Sequence, residues 1–310
     1  MFKRIALFAI APVLLILGAF GLFVRDPAPL DAQTFSALYT SPAPVPGGQR
    51  QIFHIGHSLV GRDMPAMLAQ LAGEGHGYAS QLGWGATLKS HWDPDEPING
   101  FDQENDHPAY RDAHEAVESG DYDALVVTEM VEIKDAIQYF DSPVHLGNWA
   151  QKATQNNLPV YLYETWHQLD DEAGWLNRID QDRTAQWEDR VMRPALARME
   201  TPQPIYVIPG GQVMAAVSRY LTENGPVGPL TSHEDLFRDK IHFNDFGAYL
   251  MALTHYAVLY QRSPIRLPHT LTRADGTPAD DIGPEAALAM QQIVWDVVAG
   301  SPMTGVPAGS

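Results

Sequence analysis

Gln51-Ile52-Phe53-His54-Ile55-Gly56-His57-Ser58-Leu59 is the stretch on which the fold turns. Ile52, Phe53 and Ile55 form a short apolar run of the kind a strand buried inside a parallel sheet requires. Gly56 permits a sharp turn, and a hydroxyl follows at Ser58. Beyond it Met64, Met67, Leu68 and Leu71 recur at helical spacing between Arg62 and Gly73. The order is strand, tight turn, serine, helix. It places Ser58 at the carboxyl end of a strand, where open α/β sheets bind ligands, and close to a helix N-terminus, which favours negative charge.

A serine hydroxyl needs a base to become a nucleophile, and the base needs an orienting carboxylate. Both occur far downstream in Asp239-Lys240-Ile241-His242-Phe243-Asn244. His242 follows Asp239 by three positions, so the carboxylate can reach one imidazole nitrogen while the other faces Ser58. Each of these residues also has an ordinary reading: Ser58 and Asp239 as helix caps, His242 as a polar loop residue. Their joint occurrence favours catalysis.

Together these stretches resemble the SGNH (GDSL-type) hydrolases over roughly residues 50 to 260. Gly56-His57-Ser58-Leu59 is similar to that family's first block, with His57 where Asp or Asn is usual. Asp239-Lys240-Ile241-His242 is similar to its last block, D-x-x-H. Gly83-Trp84-Gly85-Ala86-Thr87-Leu88 is similar to the second block, and Gly85 is the better match for its oxyanion glycine. The third block departs from the pattern: Val127-Thr128-Glu129-Met130 stands where G-x-N-D is usual. Thr128 and Glu129 are therefore the candidates for a third oxyanion donor, and Glu129 could donate only when protonated. The resemblance implies a serine esterase with Ser58 as nucleophile, His242 as base and Asp239 as its orienter. The Ser58 and Gly85 N–H groups would form the oxyanion hole, and no metal or organic cofactor is implied.

The remaining segments alternate as an α/β domain does. Strands are expected at 52–55, 78–82, 124–127, 159–163 and 205–208, and helices at 109–119, 144–156, 179–199, 246–260 and 285–298. The stretch 91–107, rich in Asp, Pro, Asn and Gly, reads as a long loop. The expected architecture is a five-stranded parallel sheet in a three-layer α/β/α, flavodoxin-like arrangement, with the SGNH hydrolase-like domain at 49–262. Residues 263–310 read as an extension with one helix and a frayed tail from Pro302.

Phe2, Lys3 and Arg4 precede an apolar stretch from Ile5 to Val24 that lacks charge. About 20 such residues span a bilayer as a helix, and basic residues on the N-terminal side favour cytoplasmic retention of that end. Residues 1–25 therefore read as a membrane anchor or a signal sequence, with the domain outside the cytoplasm, membrane-held or periplasmic. Residues 26–48, with five prolines, read as an extended linker.

Lys plus Arg number 20 and Asp plus Glu 38, for a net charge of −18. That balance argues against nucleic acid as partner. The absence of cysteine excludes disulfides and thiol catalysis. Seven tryptophans raise the possibility of aromatic platforms for sugar rings. Trp84, Trp92 and Trp166 follow strand ends and are candidates to line a substrate site, with His57 beside the nucleophile. An acylated small molecule or glycan is the expected substrate, with O-deacetylation of a cell-envelope glycan as the leading form. A non-catalytic glycan- or protein-binding module and an acyl transferase remain open alternatives.

Overall fold

The computed structural model describes residues 26–307; the expected anchor or signal segment at residues 1–25 lies outside them. Five strands, β1 (Gln51–His57), β2 (Gly77–Gly83), β3 (Ala124–Val127), β4 (Val160–Glu164) and β5 (Ile205–Pro209), form one sheet in the order β2-β1-β3-β4-β5. All pairings are parallel. β3 and β5 are apolar runs, as burial on both faces demands, and β1 is buried from Ile52 through His57, the polar His54 included. The helices Asp63–Ala72, Gly210–Asn224, Asp245–Tyr260 and Pro284–Ala299 pack together as one layer. Ala113–Ser119, Ser142–Gln155 and Arg193–Ala197 belong to the other. This is the expected α/β sheet flanked by helices. Its register aligns His57 with Gly83 and Ile55 with Val127, so the loops after β1, β2 and β3 leave the sheet side by side.

Four segments differ from the sequence expectation. The charged helix expected at 179–199 is three joined pieces: an α-helix Trp175–Asp182, a π-helix Arg183–Met192 and an α-helix Arg193–Ala197. Its buried residues Asp182, Trp187 and Met192 are five apart, which fits the wider π turn rather than a 3.6-residue one. The stretch 91–107 is not all loop, because it contains the helix Phe101–Asn105. There the buried Asn105 side chain accepts from Leu82 N–H (3.0 Å) and donates to Leu82 C=O (2.8 Å). It thereby satisfies backbone groups at the open edge of β2 that would otherwise be orphaned.

The tail from Pro302 is seated rather than frayed. Thr304 to Val306 are buried, and Gly305 C=O accepts from Ala43 N–H at 2.8 Å. Residues 26–48 are likewise not an extended tether. Asp31 caps a helix Ala32–Ala37, and Phe35 and Tyr39, one helical turn apart, are buried against the domain. The Tyr39 hydroxyl donates to Ile205 C=O at 2.9 Å. The prolines obscured this short apolar stripe. Among the described residues no helix is long and apolar enough to cross a membrane.

Packing of this strap is testable by Phe35→Ala. A free linker predicts no change in stability, whereas loss of a buried ring predicts destabilisation of about 3 kcal/mol, the low end for such truncations, measured by urea unfolding.

Candidate active site

Ser58 follows β1 directly in a turn closed by Val60 N–H on His57 C=O at 2.8 Å. The turn is folded tightly onto the end of β3. A Cβ on Gly56 would stand 2.8 Å from Val60 Cγ2 and 2.9 Å from Thr128 Cβ, so only glycine fits. Two buried histidines clamp this turn. His57 Nε2 donates to Glu129 C=O at 2.8 Å and its Nδ1 accepts from Leu59 N–H at 3.3 Å. His91 Nε2 donates to Gly56 C=O at 2.9 Å, and its Nδ1 accepts from the Gln81 amide at 3.0 Å. These bonds assign the neutral Nε2–H tautomer to both rings. Burial lowers each to about 4; a carbonyl partner opposes that shift, and a neighbouring histidine adds to it. Both rings are therefore uncharged at neutral pH. His57 has no exposed surface, so it positions the turn and does not meet substrate, contrary to the sequence expectation. His91 was not singled out by sequence; its place in a stretch read as loop gave no signal.

The second half of the site comes from the loop before helix Asp245–Tyr260. Asn244 caps that helix by accepting from Phe246 and Gly247 N–H at 2.9 and 3.2 Å. Upstream, Asp239 Oδ1 accepts from the N–H groups of Ile241 (2.9 Å) and His242 (2.7 Å), which leaves Oδ2 for His242 Nδ1 at 2.8 Å. His242 Nε2 lies 2.9 Å from Ser58 Oγ. Burial acts to raise the Asp239 carboxyl. The two backbone N–H groups and the His242 ring outweigh it and hold the group down at about 2. Asp239 is thus ionised at any physiological pH, the state an orienting carboxylate needs.

The loop is fixed from both sides. Arg238 N–H donates to His242 C=O at 2.9 Å, and Leu169 N–H to Lys240 C=O at 2.8 Å. The Trp166 indole N–H donates to Ile241 C=O at 2.9 Å. Lys240 pairs with Asp170. Trp166 is fully buried, so the expectation that it lines the substrate site is corrected: it braces the histidine loop from behind. Trp92 is also displaced from that role, since its ring packs 5.0 Å from both His114 and Trp149. Trp84 alone of the three stays open, 53% exposed. Its ring lies over Gly100, and its N–H donates to Glu104 at 2.7 Å.

Gly85 adopts φ +58° with open space where a side chain would be. Among the described residues neither its N–H nor that of Ser58 has a hydrogen-bond acceptor, so both can donate to a bound oxyanion. The third-block candidates do not. Thr128 and Glu129 are fully buried, and Glu129 Oε1 accepts from Met130 N–H (2.8 Å) and Leu88 N–H (3.2 Å). Burial raises the Glu129 carboxyl against the pull of Ser142 and these N–H groups. Glu129 organises the loops around the site rather than its surface.

Ser58 opens into a cleft of about 1040 Å³ whose walls include Arg62, Tyr78, Glu104, His107 and Arg238. Two other residues near the strand ends, Glu164 and His167, are buried away from it. The Glu164 carboxylate accepts from the Gln212 amide at 3.1 Å, and burial raises it to about 7 despite that bond.

No protein-family model matches the chain, and no curated protein matches it. Among solved structures it is similar to a DUF4886 family protein from Bacteroides uniformis, with a TM-score of 0.50 and 18% identity over 80% of this chain and 94% of that one. It is also similar to a Bacillus subtilis protein, YXIM, with a TM-score of 0.39 and 17% identity over 68% of this chain and 55% of that one. The first likeness agrees with the three-layer α/β/α fold and carries nothing further.

Two outcomes follow from this geometry. Trp166→Phe keeps most of the ring but removes the donor to the half-buried Ile241 C=O. Loss of that bond is expected to lower stability by about 1 kcal/mol, measured by urea unfolding. Glu164 has a folded-state value above its unfolded one, near 4.3, so the folded protein binds the extra proton. Stability then falls as pH rises from about 4 to about 7. Glu164→Gln removes that decline, measured as the difference in Tm between pH 5 and pH 8.

Proposed function

We propose that this chain is a serine esterase of the SGNH type. The observation that carries the reading is the unbroken hydrogen-bonded chain Ser58 Oγ–His242 Nε2 (2.9 Å) and His242 Nδ1–Asp239 Oδ2 (2.8 Å), opening on a cleft. Three side chains of these types in this order have a known chemical use, and a merely structural serine and histidine have no need of a third partner that is ionised and preset.

In this reading Ser58 Oγ attacks the ester carbonyl while His242 Nε2 takes its proton. The bond from Oγ to carbon forms, and the negative charge passes to the carbonyl oxygen, which the Ser58 and Gly85 N–H groups receive. His242 returns the proton to the leaving alkoxide as its C–O bond breaks. Water then attacks the acyl-enzyme with His242 as base again, releasing the acid and restoring Ser58. Each oxyanion donor contributes about 2.7–4 kcal/mol in a comparable hydrolase, so a hole of two donors predicts a modest rate. Exposed Trp84, next in sequence to Gly85, offers an aromatic face and favours a sugar alcohol as leaving group. With residues 1–25 as anchor or signal, the domain would act outside the cytoplasm on an acetylated envelope glycan.

The test is hydrolysis of p-nitrophenyl acetate by the full chain in detergent, alongside Ser58→Ala and His242→Ala. Each substitution is expected to lower kcat by about a thousandfold or more. Wild-type activity that survives both substitutions contradicts the reading.

A further inference from the structure

The same cleft holds an unused positive charge beside the histidine. Of its three arginines, Arg273 is satisfied by Asp245, at 2.5 and 3.1 Å, with Asp280 3.9 Å away. Arg62 donates to Gln103 C=O and has no carboxylate partner among the described residues. Arg238 is exposed, and its guanidinium has no hydrogen bond or ion pair among them at all. None of the five carboxylates lining the cleft pairs with Arg238. Asp63 accepts from Ala274 N–H, Glu104 from Trp84, and Asp275 from Thr277, while Asp245 and Asp280 face Arg273. In a chain with 38 acidic and 20 basic residues, an arginine in the cleft that is unpaired among the described residues is available to a ligand.

Its place indicates which part of the substrate. Arg238 immediately precedes Asp239, and its N–H holds His242 C=O at 2.9 Å. The proton that His242 returns goes to the leaving alcohol, so the alcohol half of the ester lies on the His242 side of Ser58. Arg238 belongs to the same loop as His242, and it lines the same cleft as Ser58. Guanidinium groups present forked donors matched to carboxylate and phosphate oxygens.

Resting on the esterase reading, we propose that the alcohol half of the substrate carries an anionic oxygen group, a carboxylate or a phosphate, held by Arg238, with Arg62 a second guanidinium lining the same cleft. Arg238 is then the residue that selects among esters, and a plain neutral acetate is a poor mimic of the true substrate.

The test compares the full chain in detergent with Arg238→Gln on p-acetoxybenzoate, p-acetoxyphenyl phosphate and the neutral methyl p-acetoxybenzoate. The ratio of kcat/KM for a charged ester to that for the neutral one is expected to drop about 10- to 100-fold in Arg238→Gln, mainly through KM, as for loss of a charge-assisted bond. Arg238→Lys, which keeps the charge but not the fork, is expected to restore part of it. Whichever charged ester loses more identifies the oxyanion. A ratio equal to wild type in Arg238→Gln overturns this proposal. If the neutral ester is still cleaved in a Ser58-dependent way, the esterase reading survives that failure. No Ser58-dependent cleavage of any of the three overturns both.

Discussion

Everything at the site depends on one hydrogen bond, between Ser58 Oγ and His242 Nε2, whose partners are 184 residues apart. A contact between two side chains on separate loops is only as good as the loops are stiff, because misplacement by about 1 Å can cost a hundredfold in rate. The surrounding structure is arranged to stiffen both. On the serine side, Gly56 lets the turn sit against Val60 and Thr128, and neutral His57 and His91 bond its carbonyls and amides from within. On the histidine side, Trp166, Leu169, Arg238 and the Asn244 cap hold successive backbone groups of the 238–244 loop.

The choice of residues for these braces follows from the dielectric. A charged side chain buried beneath Ser58 would cost several kcal/mol in desolvation. An imidazole kept neutral by burial supplies one donor and one acceptor without that cost. His57 uses both, linking the end of β1 to the loop after β3. Asp239 shows the opposite solution at the surface: three donors converge on its carboxylate, so it stays ionised and its orientation is set before any substrate arrives.

The sheet and the hydrogen-bonded trio Ser58, His242 and Asp239 were legible because they follow local rules. The strands are short and mostly apolar, with β3 and β5 unbroken, and each expected strand falls within a residue or two of the observed one. Ser58 and the Asp239–His242 pair have fixed positions relative to a strand end and a helix start. The braces were not legible, for the converse reason. Trp166 and His57 sit beside strand ends, where a polar or aromatic side chain can turn either outward to a ligand or inward to a carbonyl. Only the packing decides, and it turned both inward. The strap at 26–48 misled in another way, since its prolines suggested a tether and masked Phe35 and Tyr39. The π-helical segment departs from the period that helical pattern reading assumes.

Activation of Ser58 by His242 can be read by covalent capture. A fluorophosphonate probe, which reacts with activated serine hydroxyls, would be incubated with the full chain and the adduct located by peptide mass spectrometry. A single adduct on Ser58 is expected, forming readily in the wild type and lost in His242→Ala. No adduct on Ser58, or one that forms equally fast without His242, would contradict that activation.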